Sequence, residues 1–387
     1  MAKRTWMKGL IGLAGVGALV AGGLYLYGSS SGNTPPATVD FAALDTQATQ
    51  QLYQRGEQVF RAGDCAACHS SPQSGNELAG AVSIVTPMGT LHGTNISPSK
   101  QHGIGNWTAD DLYRAVAAGV APGRKVLYPA MPYVSYHQIT RADVDALWFW
   151  LMKQPAVEVA NKPNAMNFPF NIRPAVAMWN VVNRPDPKEA EPGTDEIARG
   201  KYLVNVLGHC AECHSPRTGI TFAIDRSRDL GGNVIEGAYA PPLTPEAMSQ
   251  RGWTKEHLVQ FFRTGLSPQG SMTFRMFPVL EHSTSRMPEE DVRAMTAYLT
   301  QNQQMPGPKV EPAPAQAQLN VNGERLYLGL CAGCHGVQGD GQPHSAVPMR
   351  TNTTAMFSTP INLIRVIREG VPEHDLPNGG RVQTMPG

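Results

Sequence analysis

The sequence predicts a mainly α-helical protein in which one small domain is repeated three times behind an apolar N-terminal segment. The first observation is a five-residue motif that occurs three times: Cys65-Ala66-Ala67-Cys68-His69, Cys210-Ala211-Glu212-Cys213-His214 and Cys331-Ala332-Gly333-Cys334-His335. The second is a helix-like pattern of similar sequence that follows the first two motifs at nearly equal distances. The third is an uncharged stretch from Gly9 to Gly28. Together these features indicate tandem domains.

Each Cys-x-x-Cys-His motif is typical of a site at which haem c is attached covalently. Two cysteines three positions apart lie on one helical turn, so both can form thioethers with the vinyl groups of one porphyrin. The His that follows, which is His69, His214 or His335, can then ligate the iron through a ring nitrogen. Three haems are therefore expected. The cysteines that would hold them are Cys65, Cys68, Cys210, Cys213, Cys331 and Cys334.

The same cysteines could instead form zinc sites or dithiol redox centres. Zinc would combine two motifs into one four-ligand site and leave the third unused, and it would not require a His after every second Cys. All six cysteines of the chain lie in the motifs, so none is left for a disulfide or a separate metal site. The haem interpretation accounts for every one of them.

Length and composition limit the function further. The 387 residues suffice for two to four domains. A net charge of +1 with 16% charged residues offers no clustered basic surface for nucleic acid. Glycine and proline are frequent, at 39 and 32 residues, as expected of a chain with much loop around embedded cofactors.

Residues 1–33 have the pattern of a membrane anchor or a signal peptide. Basic residues precede the uncharged stretch, which as a helix would be roughly 30 Å long at about 1.5 Å per residue. The bulky run Leu24-Tyr25-Leu26-Tyr27 ends it where a cleavage site would need small residues, which favours an uncleaved anchor. Positive charge at the N-terminal end predicts that the following domains lie on the periplasmic side of the cytoplasmic membrane.

Each predicted domain begins with an amphipathic helix that carries a glycine and then an aromatic residue. These pairs are Gly56 with Phe60, Gly200 with Tyr202 and Gly323 with Tyr327. A last helix closes the first two domains, beginning near Asp143 and near Asp291. Its aromatic residue, Trp150 or Tyr298, is expected to pack on the first helix.

A middle helix follows the first two motifs and begins at a Trp-Thr pair. In the first domain, Thr108 and Asp111 predict an N-cap with an acidic residue in the first turn. The helix is expected to end at Gly119, and its counterpart in the second domain at Gly265. In the third domain the corresponding helix runs from Ile361 to Glu369 and lacks the Trp.

A methionine is expected on the second axial face of each iron. Met131 follows Cys65 by 66 residues and Met276 follows Cys210 by the same number, as equivalent positions of a repeat should. Met385 is the candidate in the third domain. A His/Met pair raises the reduction potential and leaves no open face for substrate, so no catalytic residue is predicted. The competing methionines are Met88, Met272, Met349 and Met356.

The predicted domains cover residues 45–155, 194–304 and 318–387. The Pro-rich segment 156–193 is expected to be a linker that packs the first domain against the second or against a partner subunit. A second linker, 305–317, alternates proline and alanine and predicts a freer third domain.

Several segments between the motifs carry a family resemblance. They are Ile104-Gly105-Asn106-Trp107-Thr108, Tyr128-Pro129-Ala130-Met131-Pro132-Tyr133, Asn167-Phe168-Pro169-Phe170-Asn171-Ile172-Arg173-Pro174 and Val279-Leu280-Glu281-His282-Ser283-Thr284. With the three motifs, they resemble the triple-haem cytochrome c subunit of membrane-bound alcohol, aldehyde and sugar dehydrogenases. The resemblance implies three tandem class I cytochrome c domains. It also implies that electrons pass from a periplasmic dehydrogenase subunit, which carries the catalytic cofactor, to ubiquinone in the membrane.

The sequence departs from that family at one point. The family pattern continues past the third axial Met into a closing helix, whereas this sequence stops at Met385-Pro386-Gly387, so the third domain is expected to lack that helix. Three other functions stay open. One is the cytochrome subunit of a flavin-dependent sugar or gluconate dehydrogenase. Another is a self-contained multihaem enzyme such as a peroxidase, which saturated His/Met irons disfavour. The third is a free-standing electron carrier or membrane anchor with no dedicated dehydrogenase.

Overall fold

A computed structural model describes residues 2–71, 74–191, 193–303, 307, 321–342, 346–354, 357, 359–375 and 381–387. Apart from Gly307, the predicted second linker lies outside these residues, as does Met356. The chain forms two compact units. Unit 1 comprises Met1–Val59, Cys68–Ala190 and Gly219–Ala223, and unit 2 comprises Phe60–Ala67, Glu191–Thr218 and Ile224–Gly387.

The first half of the chain is mainly helical, with short antiparallel strands. Its elements are α1 (Ala2–Gly28), α2 (Thr46–Ala62), α3 (Cys65–His69), β1 (Ser83–Thr86), β2 (Gly89–His92), α4 (Ala109–Ala118), β3 (Val120–Ala121), β4 (Lys125–Val126), α5 (Tyr133–Tyr136), α6 (Arg141–Met152), β5 (Ala165–Met166) and α7 (Arg173–Asn183). Strands β1, β2 and β5 form one sheet in that order, with Ile84 opposite Leu91 and Gly89 opposite Met166. Strands β3 and β4 form a hairpin directly after α4.

In unit 1 the helix α6, which closes the first repeat, crosses the helix α2, which opens it, at a point where no side chain would fit. A Cβ at Gly56 of α2 would lie 2.1 Å from the Ala146 carbonyl oxygen and 2.5 Å from Cβ of Trp150, both on α6. Trp150 therefore packs on the first helix, as predicted. The middle helix α4 begins with the predicted capping box, since Thr108 and Asp111 bond each other's backbone N–H. It ends at Gly119, whose φ of 66° is left-handed.

The predicted linker 156–193 contains regular secondary structure. Strand β5 in this segment pairs with β2, and α7 packs on α1, all within unit 1. Asn180 of α7 is 1% exposed; its Nδ2 donates to the Gly28 carbonyl (3.0 Å), and its Oδ1 accepts from the Tyr133 hydroxyl (2.8 Å). The proline content conceals a helix because Pro174 sits in the first turn, where a missing N–H costs nothing.

The second half repeats the pattern twice. Its elements are α8 (Glu196–Tyr202), α9 (Ala211–His214), β6 (Asn233–Ile235), β7 (Ala238–Ala240), α10 (Pro245–Gln250), α11 (Lys255–Thr264), β8 (Leu266–Ser267), β9 (Gly270–Ser271), α12 (Met276–Val279), α13 (Glu289–Thr300), α14 (Val321–Leu326), α15 (Ala332–His335), α16 (Ile361–Glu369), β10 (His374–Asp375) and β11 (Arg381–Val382). Strands β6–β7, β8–β9 and β10–β11 are antiparallel pairs. Helices α8, α12 and α14 each continue into one turn of π-helix.

Unit 2 repeats the helix crossing of unit 1. A Cβ at Gly200 of α8 would lie 1.9 Å from the Ala294 carbonyl oxygen of α13 and 2.8 Å from Cβ of Tyr298. The Tyr298 hydroxyl also accepts a bond from Asn205 Nδ2 at 2.9 Å. The predicted role of Tyr298 is therefore confirmed.

The third repeat packs against the second within unit 2, so the prediction of a freer third domain was wrong. Asn362 of α16 is 4% exposed and bonds both backbone groups of Tyr239, accepting from N–H at 2.7 Å and donating to the carbonyl at 2.9 Å. The Thr353 N–H donates to the Gln269 carbonyl oxygen at 2.6 Å. These bonds join the repeats through residues far from the linker, which the linker composition could not reveal.

The predicted N-terminal segment is helical. Helix α1 ends against α7, where a Cβ at Gly28 would lie 1.8 Å from the Ala177 carbonyl oxygen. Side chains of Val16, Leu19 and Leu26 are more than half exposed. Within the described part of the chain, no helix combines the length and the apolar character that crossing a membrane requires.

Candidate haem attachment sites

The three motif histidines share one hydrogen-bond arrangement. Nδ1 lies 2.6 Å from the Thr94 carbonyl oxygen in His69, 2.7 Å from that of Pro241 in His214, and 3.0 Å from that of Val347 in His335. A carbonyl oxygen can only accept, so Nδ1 must carry the proton. The other ring nitrogen, Nε2, is therefore left with its lone pair for a metal. This is the orientation that metal-ligating histidines adopt.

A glycine closes the loop after each motif. Its N–H donates to the carbonyl oxygen of the motif histidine: Gly80 to His69 (2.6 Å), Gly232 to His214 (2.7 Å) and Gly341 to His335 (2.9 Å).

All three glycines have positive φ, between 74° and 87°. A Cβ on any of them would lie 2.6–3.0 Å from the segment that carries the imidazole-binding carbonyl, at Thr94, Pro242 and Ala346. Glycine is thus required at these positions for both its backbone conformation and its small size. No signal in the sequence points to these glycines, because they follow the motif histidines by 11, 18 and 6 residues and so share no common spacing.

Burial sets the protonation of the second motif. It lowers the pKa of His214 to about 4, so the ring is neutral near pH 7 and able to ligate iron. Burial also lowers the pKa of His69. It raises the pKa of the Cys210 thiol to about 12 and that of Cys213 to about 11. These thiols are held neutral near pH 7, unlike those of a reactive dithiol centre, which work as thiolates.

The structure gives no support to the alternative interpretation that the cysteines form a zinc site. None of the six cysteines, all of which the structure describes, is disulfide-bonded. Across the residues that the structure describes, no three His, Cys, Asp or Glu side chains come together in a way that could hold a metal ion. Two Cys-x-x-Cys pairs therefore do not combine into a four-ligand zinc site in the described part of the chain.

Met131 and Met276 occupy equivalent turns. The Met131 N–H donates to the carbonyl three residues earlier, that of Tyr128, at 3.0 Å, and the Met276 N–H does the same to Thr273 at 3.1 Å. Both side chains are half-buried. The equal offsets found in the sequence thus correspond to equal local structure. Ligation of iron by these two residues remains a prediction.

The competitor Met272 has a different role. It is 2% exposed, and its N–H closes the β8–β9 hairpin onto the Gly265 carbonyl oxygen at 2.7 Å. In unit 1, Leu127 makes the same bond to Gly119 at 2.8 Å. Since leucine cannot ligate iron, this position is a packing position in both repeats. Met88 lies in the β1–β2 turn, where its carbonyl oxygen accepts from Asn167 N–H.

The third repeat places its methionines differently. Met385 pairs with Val371 through two backbone hydrogen bonds of 2.9 Å. Val371 directly follows Gly370, the glycine that ends α16. In register Met385 therefore matches Val126 and Ser271, which pair with the residue after the helix-ending glycine in the other repeats, and not Leu127 and Met272, which bond the glycine itself. The Met349 N–H donates to the Gly339 carbonyl oxygen, on the loop that follows His335. Met385 as the sixth ligand stays a prediction.

Two further groups of the second repeat suit a bound haem. The Trp253 side chain is 3% exposed, and its Nε1 finds no hydrogen-bond partner among the described residues. A haem propionate is an acceptor that would satisfy it. The half-buried Arg251, whose pKa burial lowers to about 10, lies near His214 and stays charged at neutral pH. A cation beside the site would favour the reduced, less positive iron.

Comparison with known proteins agrees with this chemistry. A sequence model of the family described as Cytochrome c matches residues 53–155. One of the subunits of nicotinate dehydrogenase from Pseudomonas putida is 35% identical over 382 residues, which are 95% of this chain and 31% of that protein. The chain therefore spans under a third of that relative's length.

Other relatives match over most of their length. The gluconate 2-dehydrogenase cytochrome c subunit of Pantoea cypripedii is 36% identical over 323 residues, 78% of this chain and 73% of that protein. The cytochrome c subunit of alcohol dehydrogenase (quinone) from Gluconobacter oxydans is 32% identical over 356 residues, 86% of this chain and 73% of that protein.

Proposed function

Because the chain belongs to the family of dehydrogenase cytochrome c subunits, we propose that it carries electrons for a periplasmic dehydrogenase. In this proposal a catalytic partner subunit oxidises an alcohol or aldehyde. Electrons then pass through three covalently bound haems c in this chain and leave it to ubiquinone.

The observation that carries the proposal is the threefold repeat of the imidazole arrangement. At His69, His214 and His335 the Nδ1 proton is engaged by a backbone carbonyl, and a glycine with positive φ closes the loop. The same devices at the third motif support a third haem. Haem iron supplies one-electron transfer when bound. The chain supplies the thioether cysteines, a neutral and oriented imidazole, and a methionine that would exclude substrate from the sixth position.

The proposal assigns no catalytic residue to this chain. Nearby charge would tune the potential, and Arg251, which lies near His214, is the residue that would do so at the second haem. Met131 and Met276, proposed as sixth ligands, would raise the potential further because a thioether favours Fe(II). Substrate oxidation would then require the partner subunit.

The proposed location of the chain, at the cytoplasmic membrane, rests on its N-terminal sequence. Basic residues precede an uncharged stretch, and apolar side chains of α1 project from the unit, with Leu19 at 79% exposure. These features support an anchor in the cytoplasmic membrane with the haem repeats on the periplasmic side. A quinone acceptor is supported by the name of the alcohol dehydrogenase relative.

A second candidate differs only in the partner. The gluconate dehydrogenase relative, at 36% identity, favours a cytochrome subunit of a sugar or gluconate dehydrogenase. Reconstitution would separate the two: the chain is added to each purified catalytic subunit, and substrate-dependent reduction of a ubiquinone analogue is measured. Restoration with the alcohol enzyme alone supports the first candidate, and restoration with the gluconate enzyme alone supports the second.

Haem content tests the proposal most directly. Mass spectrometry of the denatured holoprotein should show the added mass of three haems. The variant Cys213→Ser should lose one, while Ser215→Ala, two residues away, should keep all three. A count of two or fewer in the unaltered chain would contradict the proposal. Rapid turnover of peroxide by the purified chain would instead indicate a haem enzyme.

A further inference from the structure

The turn that carries Met276 is flanked on both sides by residues of the third repeat. On the N-terminal side, the guanidinium carbon of Arg365 lies 4.4 Å from the ring centroid of Phe274. On the C-terminal side, the ring of Phe277 stacks on His374, with centroids 3.6 Å apart and planes at 25°. Met276 lies between these two contacts, one residue from one and two residues from the other.

Arg365 is fixed in this position from two directions. Its Nη1 donates to the Glu236 carbonyl oxygen at 2.8 Å, in the turn between β6 and β7 of the second repeat. Its Nε bonds Glu369, one turn along α16, at 2.9 Å. Glu236 in turn forms an ion pair with Arg275, the residue before Met276. The guanidinium thus bridges the turn and the loop that follows the second motif.

The turn itself needs such support. Phe274 has a φ of 53°, a left-handed conformation that strains the backbone of an aromatic residue. Within the turn, the Met276 N–H makes a single bond to Thr273. A strained turn persists only where its surroundings hold it. Besides Glu236 of the second repeat, the residues that hold this turn come from α16 and the β10–β11 hairpin.

We propose that Arg365 and His374 are positioning residues that hold Met276 at the iron of the second haem. The third repeat therefore controls the sixth ligand of its neighbour. The inference rests on the proposed ligation by Met276. No such clamp follows from the sequence, because the residues concerned lie about 90 to 100 positions apart.

The consequence is measurable as ligand exchange. Imidazole binds a haem iron in competition with the methionine, so its apparent affinity rises with the fraction of molecules in which the methionine is detached. Losing one cation–π contact should raise that fraction about fivefold, which is about 1 kcal/mol at 1.4 kcal/mol per factor of ten.

The experiment uses the full haem-loaded chain with four variants. Arg365→Ala and His374→Ala should each weaken the Fe–S absorption of one haem, lower its potential and increase imidazole affinity about fivefold. Arg365→Lys keeps the charge near Phe274 and should restore most of the signal. Arg368→Ala, on the exposed side of the same helix, is the matched control and should match the unaltered chain.

A double-mutant cycle assigns the effect to the second haem. In a Met276→Ala background, Arg365→Ala should add nothing, because the ligand it positions is gone. If Arg365→Ala behaves like Arg368→Ala while Met276→Ala removes a signal, the clamp is refuted and the ligation stands. If Met276→Ala removes no signal, the ligation itself is refuted, and the clamp with it. An equal effect of Arg365→Ala in both backgrounds also refutes the clamp.

Discussion

Replacing Gly200 with alanine should separate two helices that build the second haem site. The new Cβ would lie 1.9 Å from the Ala294 carbonyl oxygen, whereas ordinary contact begins near 3.4 Å. The helices α8 and α13 would have to move apart locally by the difference, about 1.5 Å. A backbone oxygen cannot rotate away, so we take the upper end of the usual overpacking cost, about 3 kcal/mol. Alanine regains about 1 kcal/mol of helix propensity, leaving a net loss of about 2 kcal/mol.

The effect should reach the haem because the motif follows α8 directly. Separation of the helices would also break the bond from Asn205 Nδ2 to the Tyr298 hydroxyl. The assay is urea unfolding of the haem-loaded chain, followed by the Fe–S absorption of the second haem. We expect a lower midpoint with an unchanged slope. Gly329→Ala is the control, since a Cβ there would have nothing within 4 Å.

One result would contradict the predicted loss of stability. If Gly200→Ala unfolds within about 0.5 kcal/mol of the unaltered chain, α8 and α13 do not approach as closely as described. The parallel change in unit 1, Gly56→Ala, faces a 2.1 Å contact and should behave alike. A loss at one glycine and none at the other would show that the two repeats are packed differently.

Two further predictions separate neighbouring residues and protonation states. Met276→Ala should remove the Fe–S absorption and lower the reduction potential of one haem. Met272→Ala should leave both unchanged and cost about 2–5 kcal/mol of stability, because Met272 is buried. Redox titration and urea unfolding measure the two effects, and a lower potential in Met272→Ala but not in Met276→Ala would contradict the prediction. Burial raises the pKa of Asp64 well above its usual value, so the unaltered chain should lose stability as pH rises from about 4 through that raised pKa. Asp64→Asn should remove this pH-dependent loss and should be more stable than the unaltered chain near pH 7, since asparagine also tolerates the positive φ of 50° at this position. Unfolding midpoints that fall equally with pH in both proteins would contradict this prediction.

Local signals predicted the repeated helices well. The Thr108–Asp111 pair and Gly119 fixed both ends of α4, because caps act on the nearest backbone groups alone. The equal Met131 and Met276 offsets identified equivalent turns, since a repeat preserves spacing. The exclusion of Met272 needed the structure, which shows that Leu127 holds the same place in unit 1.

The features that the sequence did not reveal depend on backbone groups or on distant contacts. The carbonyl oxygens of Thr94, Pro241 and Val347 bind the motif histidines, but any residue type can supply a carbonyl. Helix α7 was hidden in a Pro-rich stretch. The packing of the third repeat on the second depends on side chains such as Asn362, whose partner Tyr239 lies more than 120 residues away.

The attachment of α1 to α7 has a consequence for how the first repeat meets other molecules. Its last turns are held by Asn180 at the Gly28 carbonyl (3.0 Å) and by Arg124 at the Leu26 carbonyl (2.9 Å). A flexible linker would let a domain sample every orientation about its point of attachment. A helix that is attached rigidly to the domain instead fixes the orientation of the domain relative to the helix axis. Binding of α1 to another molecule would therefore determine which face of unit 1 is exposed to partners.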